Sequence, residues 1–249
     1  MKDRGPYFTV HELLIMAALA ALGGVSGSAV SWIGGIVHSV TGLPGGLQFM
    51  AGIHVLWLVL AAGLIRKAGS ATMTGLLKGA VELLSASRHG PIVFLLSALA
   101  GLCVDIVWLL TGRRNRLAAY MLAGGLGAAS NLLVFKFVFA LPAHRVVNVG
   151  LAALTAVAFA SGALLAGLLA WSLLNALARA GVVGPREPAR APPLGRRIWA
   201  AAGMIGAVVL LIGTAIFFSG ARRTPEIDKD TPVPPTTSGD HTANPRMAP

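Results

Sequence analysis

Lys78 and Glu82 are the two residues whose types and spacing first suggest chemistry, because they lie four positions apart in a mostly apolar segment, Thr72 to Leu84. On a helix this spacing brings an ammonium and a carboxylate together as an ion pair. One interpretation is that the pair only neutralises itself and stabilises the helix. The other is a binding site, since ionisable residues within a membrane are disfavoured by about 2.5–3.5 kcal/mol and commonly face a polar pathway. The residues alone leave both open.

The composition predicts that the pair sits in a lipid bilayer. The chain has 249 residues, of which 55% are hydrophobic and 12% charged, and its mean hydropathy is +0.76; soluble domains carry roughly 25% charged residues. Apolar runs of about 20 residues match helices that cross a membrane. We therefore predict an all-α, polytopic transmembrane helical bundle in the cell (plasma) membrane.

Breaks between the apolar runs predict seven spans, at about 9–30, 46–65, 71–86, 91–110, 117–140, 147–178 and 198–218. The first six spans are predicted to form one six-helix membrane domain over residues 1–180, and the third span is short. A basic linker rich in Pro, Gly and Arg follows at 181–197, since these residues favour extended or turn conformations in water. One additional span at 198–218 then leads to a tail, 219–249, whose Pro, Thr and Asp content predicts disorder.

Basic residues define the orientation. The net charge of +11 does not predict a nucleic-acid surface, because the Lys and Arg side chains lie in short gaps between spans rather than in one patch. With the N-terminus in the cytoplasm, the inner segments hold twelve of them and the outer loops of the first six spans only Arg88 and Arg145. Loops rich in Lys and Arg stay in the cytoplasm, so we predict a cytoplasmic N-terminus. The side of the C-terminal tail is left open.

With this orientation, polar residues collect in the outer half of the membrane. A Gly-rich outer loop from Ser31 to Gly46 is expected to act as a flexible lid. One carboxylate, one amine, imidazoles, amides and indoles would line a pocket for a small polar organic ligand with a ring. Each aromatic or histidine alone is equally well explained by packing. The predicted substrate-binding residues are Glu82, Trp57, His54, Gln48, Trp32, His38, Asn131 and Lys136.

Two further patterns concern helix packing. Asp105 lies in the inner half of the fourth span, where a structural or partner-coupling role is favoured over ligand contact. Small residues four apart, Ala17 and Ala21 among them, allow helices to approach closely; the others are Gly75 with Gly79 and Gly162 with Ala166.

Several functional classes have no visible residues. The chain has no phosphate-binding loop, no nucleophile elbow, no zinc-protease motif and no paired cysteines, so we predict no enzymatic activity, no cofactor and no resident metal. Energy for transport would come from another subunit or from an ion gradient.

At the level of motifs, the chain resembles the substrate-binding S components of energy-coupling factor (ECF) vitamin importers. The resemblance rests on six tight spans, the Ala17 to Ala21 pattern, the sequence Gly42-Leu-Pro-Gly-Gly46, and the block Thr74 to Leu84 followed by His89-Gly-Pro. It is greatest for the YkoE-like branch, which is linked to thiamine or its hydroxymethylpyrimidine precursor. It covers about residues 8–180, and the seventh span departs from the usual six.

The resemblance implies a subunit that captures a small vitamin-like molecule from outside and docks on a transmembrane coupling subunit with two ATPases. It implies docking through Ala17 and Ala21, and ligand contacts beneath the outer loop, where Glu82 and Trp57 are the leading candidates. Three alternatives remain: a cobalt or nickel transport component, a stand-alone proton-coupled secondary transporter, and a scaffold whose polar residues are structural. The Met-Lys-Asp-Arg start lacks the Met-His arrangement of the metal-binding relatives.

Overall fold

The structure is a computed structural model that describes residues 7–41, 48–85, 90–112, 115–138 and 145–183, with isolated residues at 193 and 195. Throughout these ranges the regular structure is helical, as the sequence predicts. The elements are α1 (Val10–Thr41), a 3₁₀ turn (Gln48–Met50), α2 (Ala51–Ile65), α3 (Ser70–Leu84), α4 (Ile92–Leu110), α5 (Leu117–Val138), α6 (Arg145–Ser161), a π-helical segment (Gly162–Leu168) and α7 (Leu169–Arg179). The predicted span at 198–218, the tail and most of the linker lie outside the described residues.

Within the described ranges, four helical stretches are long and apolar enough to cross a membrane: Val10–Val37, Gln48–Ile65, Ile92–Leu110 and Val149–Arg179. A shorter apolar stretch covers Leu117–Leu132. At about 1.5 Å per residue, the 15 residues of α3 span only about 22 Å. The third predicted span thus corresponds to a short helix. The apolar helices and the transport relatives described below support a multi-pass membrane protein.

The first helix differs from its prediction. It runs for 32 residues to Thr41, so the expected flexible lid from Ser31 is wrong as far as Thr41; residues 42–47 lie outside the described ranges. The glycines at 34 and 35 suggested a break because Gly is a poor helix former in water. In an apolar environment the backbone must satisfy its own hydrogen bonds, which favours helix across such residues.

Glycines bring α3 and α4 into close contact. A Cβ added at Gly75 would overlap the carbonyl oxygen of Ser97, and one at Gly79 would lie 2.8 Å from the Cα of Phe94. The predicted small-residue pair of the third span therefore lies at a helix contact. Because the two helices are this close, side chains on α4 can contact the polar residues of α3.

The last transmembrane stretch within the described ranges is one long helix that contains a π-helical segment. Residues 162–168 are π-helical between α6 and α7, and Ser161 lies at the junction. Its hydroxyl donates to the carbonyl of Phe49 and accepts a hydrogen bond from the amide N–H of Gly52, at 3.0 Å. The start of α2 is thus tied to the middle of the sixth predicted span.

Candidate functional site

The Lys78–Glu82 pair forms the centre of a buried polar cluster. Lys78 Nζ lies 2.6 Å from Glu82 Oε1, and the two side chains are only 2% and 3% exposed. Ser97 on α4 joins both, since its Oγ accepts from Lys78 at 3.3 Å and donates to Glu82 Oε2 at 3.3 Å. Burial of the whole pair is tolerated because each charged group has its partner and further hydrogen bonds.

Two residues of α2 complete the cluster from the opposite side. His54 Nδ1 lies 3.5 Å from Glu82 Oε1. Trp57, one turn later, donates from Nε1 to Ser26 Oγ of α1 at 2.8 Å. Glu82, His54 and Trp57, which the sequence singled out, therefore lie together. Ser26 and Ser97 were missed, because a lone serine in an apolar helix has no distinctive sequence signal.

Three glycines of α1 cover the cluster. A Cβ at Gly23 would lie 3.0 Å from Trp57 Cδ1 and 3.1 Å from Lys78 Cδ. At Gly27 it would overlap Glu82 Oε1, and at Gly24 it would lie 2.7 Å from Val81 Cβ. The backbone of α1 therefore lies directly against the polar side chains, and the cluster is closed on this side.

The cluster lies far from the end of the bundle at which α1 begins. We call this end the Lys67 end, because Lys67 Nζ pairs there with Glu12 Oε2 at 2.7 Å and bonds the carbonyl of Tyr7 at 2.8 Å. Glu82 follows the first residue of α3 by twelve positions, or about 18 Å of helix. The carboxylate therefore lies deep in the bundle and close to the opposite end of α3.

Asp105 has a structural role at the Lys67 end. Its carboxylate accepts hydrogen bonds from the N–H of Thr72 at 2.7 Å, the hydroxyl of Thr72 at 2.7 Å and the N–H of Ala71 at 3.3 Å. The first backbone N–H groups of a helix have no partner within it. Asp105 supplies that partner from α4, which agrees with the structural role favoured over ligand contact.

The remaining predicted residues are more dispersed. Trp32 is 54% exposed on α1, so it is not among the buried side chains around Glu82, and its assignment to a lid loop is wrong because the segment is helical. The His38 side chain lies outside the described part. Gln48 and Lys136 are half-buried, and Asn131 Oδ1 is buried without a hydrogen-bond partner among the described residues. Their contact with a ligand stays a prediction.

Ala17 and Ala21 lie exposed on α1. Leu14 and Val25, each one turn away, are 63% and 65% exposed. One face of α1 is thus uncovered within this chain, while the Gly23–Gly27 face packs on α2 and α3. Across the residues that the structure describes, no group of three or more His, Cys, Asp or Glu side chains is placed to hold a metal ion.

Comparisons with known proteins agree with this architecture. Residues 11–130 match a family described as the permease component of an ABC-type cobalt transport system. The chain is 29% identical over 175 residues to YkoE of Bacillus subtilis (strain 168), named as a candidate HMP/thiamine permease protein; the match covers 70% of this chain and 86% of YkoE. A crystal structure of an S component of an ECF transporter matches with a TM-score of 0.64 and 26% identity, over 80% of this chain and 98% of the other.

In sequence and fold the chain is similar to ECF S components, and the three comparisons together support an S component of the YkoE-like branch. The resemblance given by its motifs, including the YkoE-like branch, is thereby confirmed. An ECF S component is the substrate-binding member of a transporter, and the homology implies a transmembrane coupling subunit and ATPases as partners. The relatives are transport components rather than enzymes.

Proposed function

We propose that this S component captures a thiamine- or hydroxymethylpyrimidine-type molecule from outside the cell and delivers it by docking on a coupling subunit with two ATPases, without catalysing a reaction itself. The observation that carries the proposal is the buried cluster of Glu82, Lys78, Ser97, His54 and Trp57. The name of the relative YkoE supports the choice of ligand.

The chemistry of the cluster fits an amino-substituted ring. A carboxylate accepts hydrogen bonds from an amino group, a serine hydroxyl or a histidine N–H can satisfy a neighbouring ring nitrogen, and an indole provides a flat apolar surface for stacking. Glu82, Ser97, His54 and Trp57 supply these three functions within one cluster. We assign them as ligand contacts.

Lys78 has a different role in this proposal. Without a ligand it neutralises Glu82, because a lone carboxylate in the bundle interior would be strongly disfavoured. A ligand that donates to Glu82 Oε1 takes over the position held by Lys78 Nζ and His54. Entry also requires α1 to move away from α3, since Gly27 covers Oε1 directly.

Titration calorimetry of the full chain with thiamine and with hydroxymethylpyrimidine tests this site. We expect Glu82→Gln to weaken binding about tenfold to a hundredfold, the loss that accompanies a charge-assisted hydrogen bond. Because this change leaves Lys78 unpaired, Lys78→Gln and the double variant are measured with it. Unchanged affinity in both Glu82 variants, with the proteins folded, would remove Glu82 from the site.

The other predicted contacts are tested in the same assay. Gln48, Asn131 and Lys136 are proposed to flank the ligand, and Trp32 to lie along its route of entry. His38 stays a predicted substrate contact. Each substitution to alanine is expected to change affinity less than Trp57→Ala, because Trp57 lies beside Lys78 around Gly23 and donates a hydrogen bond to Ser26. An equal loss at Trp32 would move the site toward the end of α1.

Docking is proposed for the exposed α1 face with Ala17 and Ala21. The double substitution Ala17→Trp with Ala21→Trp is expected to abolish co-purification with the coupling subunit and leave ligand binding intact, because bulky side chains prevent close helix contact. Val157→Trp is the control, since Val157 is 45% exposed on α6. Retained co-purification of the double variant would refute the assignment.

A cobalt ion is the second candidate substrate. It is favoured only by the description of the matching family. His54 and Glu82 are the pair of potential ligands that lie together, at 3.5 Å, and Lys78 already holds the carboxylate. Calorimetry with Co²⁺ alone distinguishes the two functions. Saturable, stoichiometric Co²⁺ binding together with no response to either organic ligand would favour metal transport.

A further inference from the structure

A groove whose lining includes amide and guanidinium groups lies at the Lys67 end of the bundle, on the far side of the molecule from the Glu82 cluster. It opens between the start of α5 and α7, has a volume of about 560 Å³, and is lined by Asn115, Trp171, Asn175, Ala178 and Arg179. Asn115 Nδ2 donates to Asn175 Oδ1 at 3.3 Å and bridges the two helices. The ligand cluster uses none of these residues.

The groove presents hydrogen-bond donors and a positive charge. Arg179 bonds the Asn175 carbonyl through Nε, at 3.4 Å, which leaves its Nη groups directed to no carboxylate within the described residues. The indole N–H of Trp171 is buried and has no partner in that same part of the chain. Arg116 is exposed directly beside Asn115. Guanidinium groups and N–H donors together are the usual recognition elements for phosphate.

Among the described residues, no acidic side chain offsets this charge. The described ranges contain three acidic residues, Glu12, Glu82 and Asp105, and each is engaged elsewhere: with Lys67, with Lys78, and with the start of α3. In the sequence, Arg113 and Arg114 also lie just before α5. The groove therefore suits an anion rather than a cation.

The surroundings of the groove indicate an amphiphilic anion. It lies where α5 begins and α7 ends, and the ends of apolar helices in a membrane bundle lie near the level of the lipid headgroups. Deeper along the same helices, Leu122 of α5 and Leu168, one turn before Trp171, are 45% and 36% exposed. Polar donors at the helix ends and exposed leucines below them match a phosphate headgroup followed by acyl chains.

We propose that this groove is a binding site for an anionic phospholipid, whose phosphate is held by Arg179, Asn115 and Trp171 and whose acyl chains lie along Leu122 and Leu168. The site is independent of the transported ligand. It would fix the depth of α5 and α7 in the membrane at the end where α2 and α3 are joined.

Thermal-shift titration of the full-length protein in mild detergent tests the site, with dioleoyl phosphatidylglycerol and dioleoyl phosphatidylcholine as probes. Both lipids carry the phosphate, but the choline ammonium of phosphatidylcholine cancels its charge and would be repelled by Arg179. We therefore expect half-saturation at an about tenfold lower concentration of phosphatidylglycerol, which corresponds to about 1.4 kcal/mol. Arg179→Gln should remove this preference, because it removes the charge that distinguishes the two headgroups. Trp171→Phe, which keeps the ring but loses the N–H, should weaken the binding of both lipids several-fold, because both carry the phosphate.

The matched control is Arg145→Gln, which removes one positive charge from the start of α6, at the opposite end of the α6–α7 helix. This variant should keep the preference. Equal responses to the two lipids, or equal losses in Arg179→Gln and Arg145→Gln, would overturn the proposal. Inorganic phosphate alone should neither shift the melting temperature nor compete; full competition would show a free-anion site and would also overturn it.

Discussion

Gly27→Ala gives the sharpest test of how the Glu82 cluster is closed. The new methyl group would overlap Glu82 Oε1 and lie 3.0 Å from His54 Nδ1. Either α1 moves away from α3, or the carboxylate leaves its place between Lys78, Ser97 and His54. Adding a methyl group to a well-packed interior costs about 1–3 kcal/mol, and disturbing a buried ion pair adds to that cost.

A matched control isolates this cost. Gly150 is also helical, and a Cβ there would meet no atom within 4 Å, so Gly150→Ala keeps the gain of about 1 kcal/mol in helix propensity without the overlap. The difference between the two variants should therefore equal the packing cost. With about 2–4 °C per kcal/mol for a chain of this size, Gly27→Ala should melt about 2–12 °C below Gly150→Ala.

Thermal unfolding of the detergent-purified proteins, followed by tryptophan fluorescence, measures this difference. A double-mutant cycle with Glu82→Ala then identifies the overlapping atom, because the penalty of Gly27→Ala should shrink once the carboxylate is gone. Melting temperatures that agree within about 1 °C, against an expected 2–4 °C per kcal/mol, would show that α1 does not lie against Glu82. A penalty that persists in the Glu82→Ala background would place the conflict elsewhere on α1.

Three further expectations follow from the Lys67 end and from α3. Asp105→Asn should destabilise the protein by about 1–3 kcal/mol, because an amide cannot serve Thr72 as a charged acceptor does; Thr72→Val should cost less, and the reverse order in thermal unfolding would contradict the capping role. Lys67→Met should cost at most about 1 kcal/mol, since its pair with Glu12 is partly exposed; a larger loss of thermal stability would show a cooperative network. In a background without the native cysteine, a membrane-impermeant maleimide added outside intact cells should label Leu84→Cys and spare Lys67→Cys; the opposite pattern would reverse the proposed orientation.

The sequence predicts helix positions well because hydropathy and helix length are tied to membrane thickness. The bounds of α2, α4 and α5 lie close to the expected spans. The end of α1 could not be predicted in the same way, because the helix propensities that mark Gly34 and Gly35 as a break describe helices in water. In a bilayer the need to satisfy backbone groups outweighs them.

The polar site could be predicted only where charge marks it. Glu82 and Lys78 stand out because ionisable residues are rare in a span, and His54 follows from depth. Serine is a common packing residue in transmembrane helices. Only the hydrogen bonds of Ser97 with Glu82 and of Ser26 with Trp57 therefore identify these two serines. The role of Gly27 depends on which helix lies opposite, which no local pattern specifies.

The π-helical segment at 162–168 has a consequence for comparing this chain with its relatives. A π turn holds one more residue than the α-helical turn it replaces, so the two halves of the long helix follow different phases of the 3.6-residue repeat. Helical-wheel assignments made from Ser161 therefore shift by about one position by Leu169. A relative that lacks one residue here could form a continuous α-helix and still present the equivalents of Ser161 and Asn175 to the same neighbours. An alignment gap at this point would then preserve both contacts.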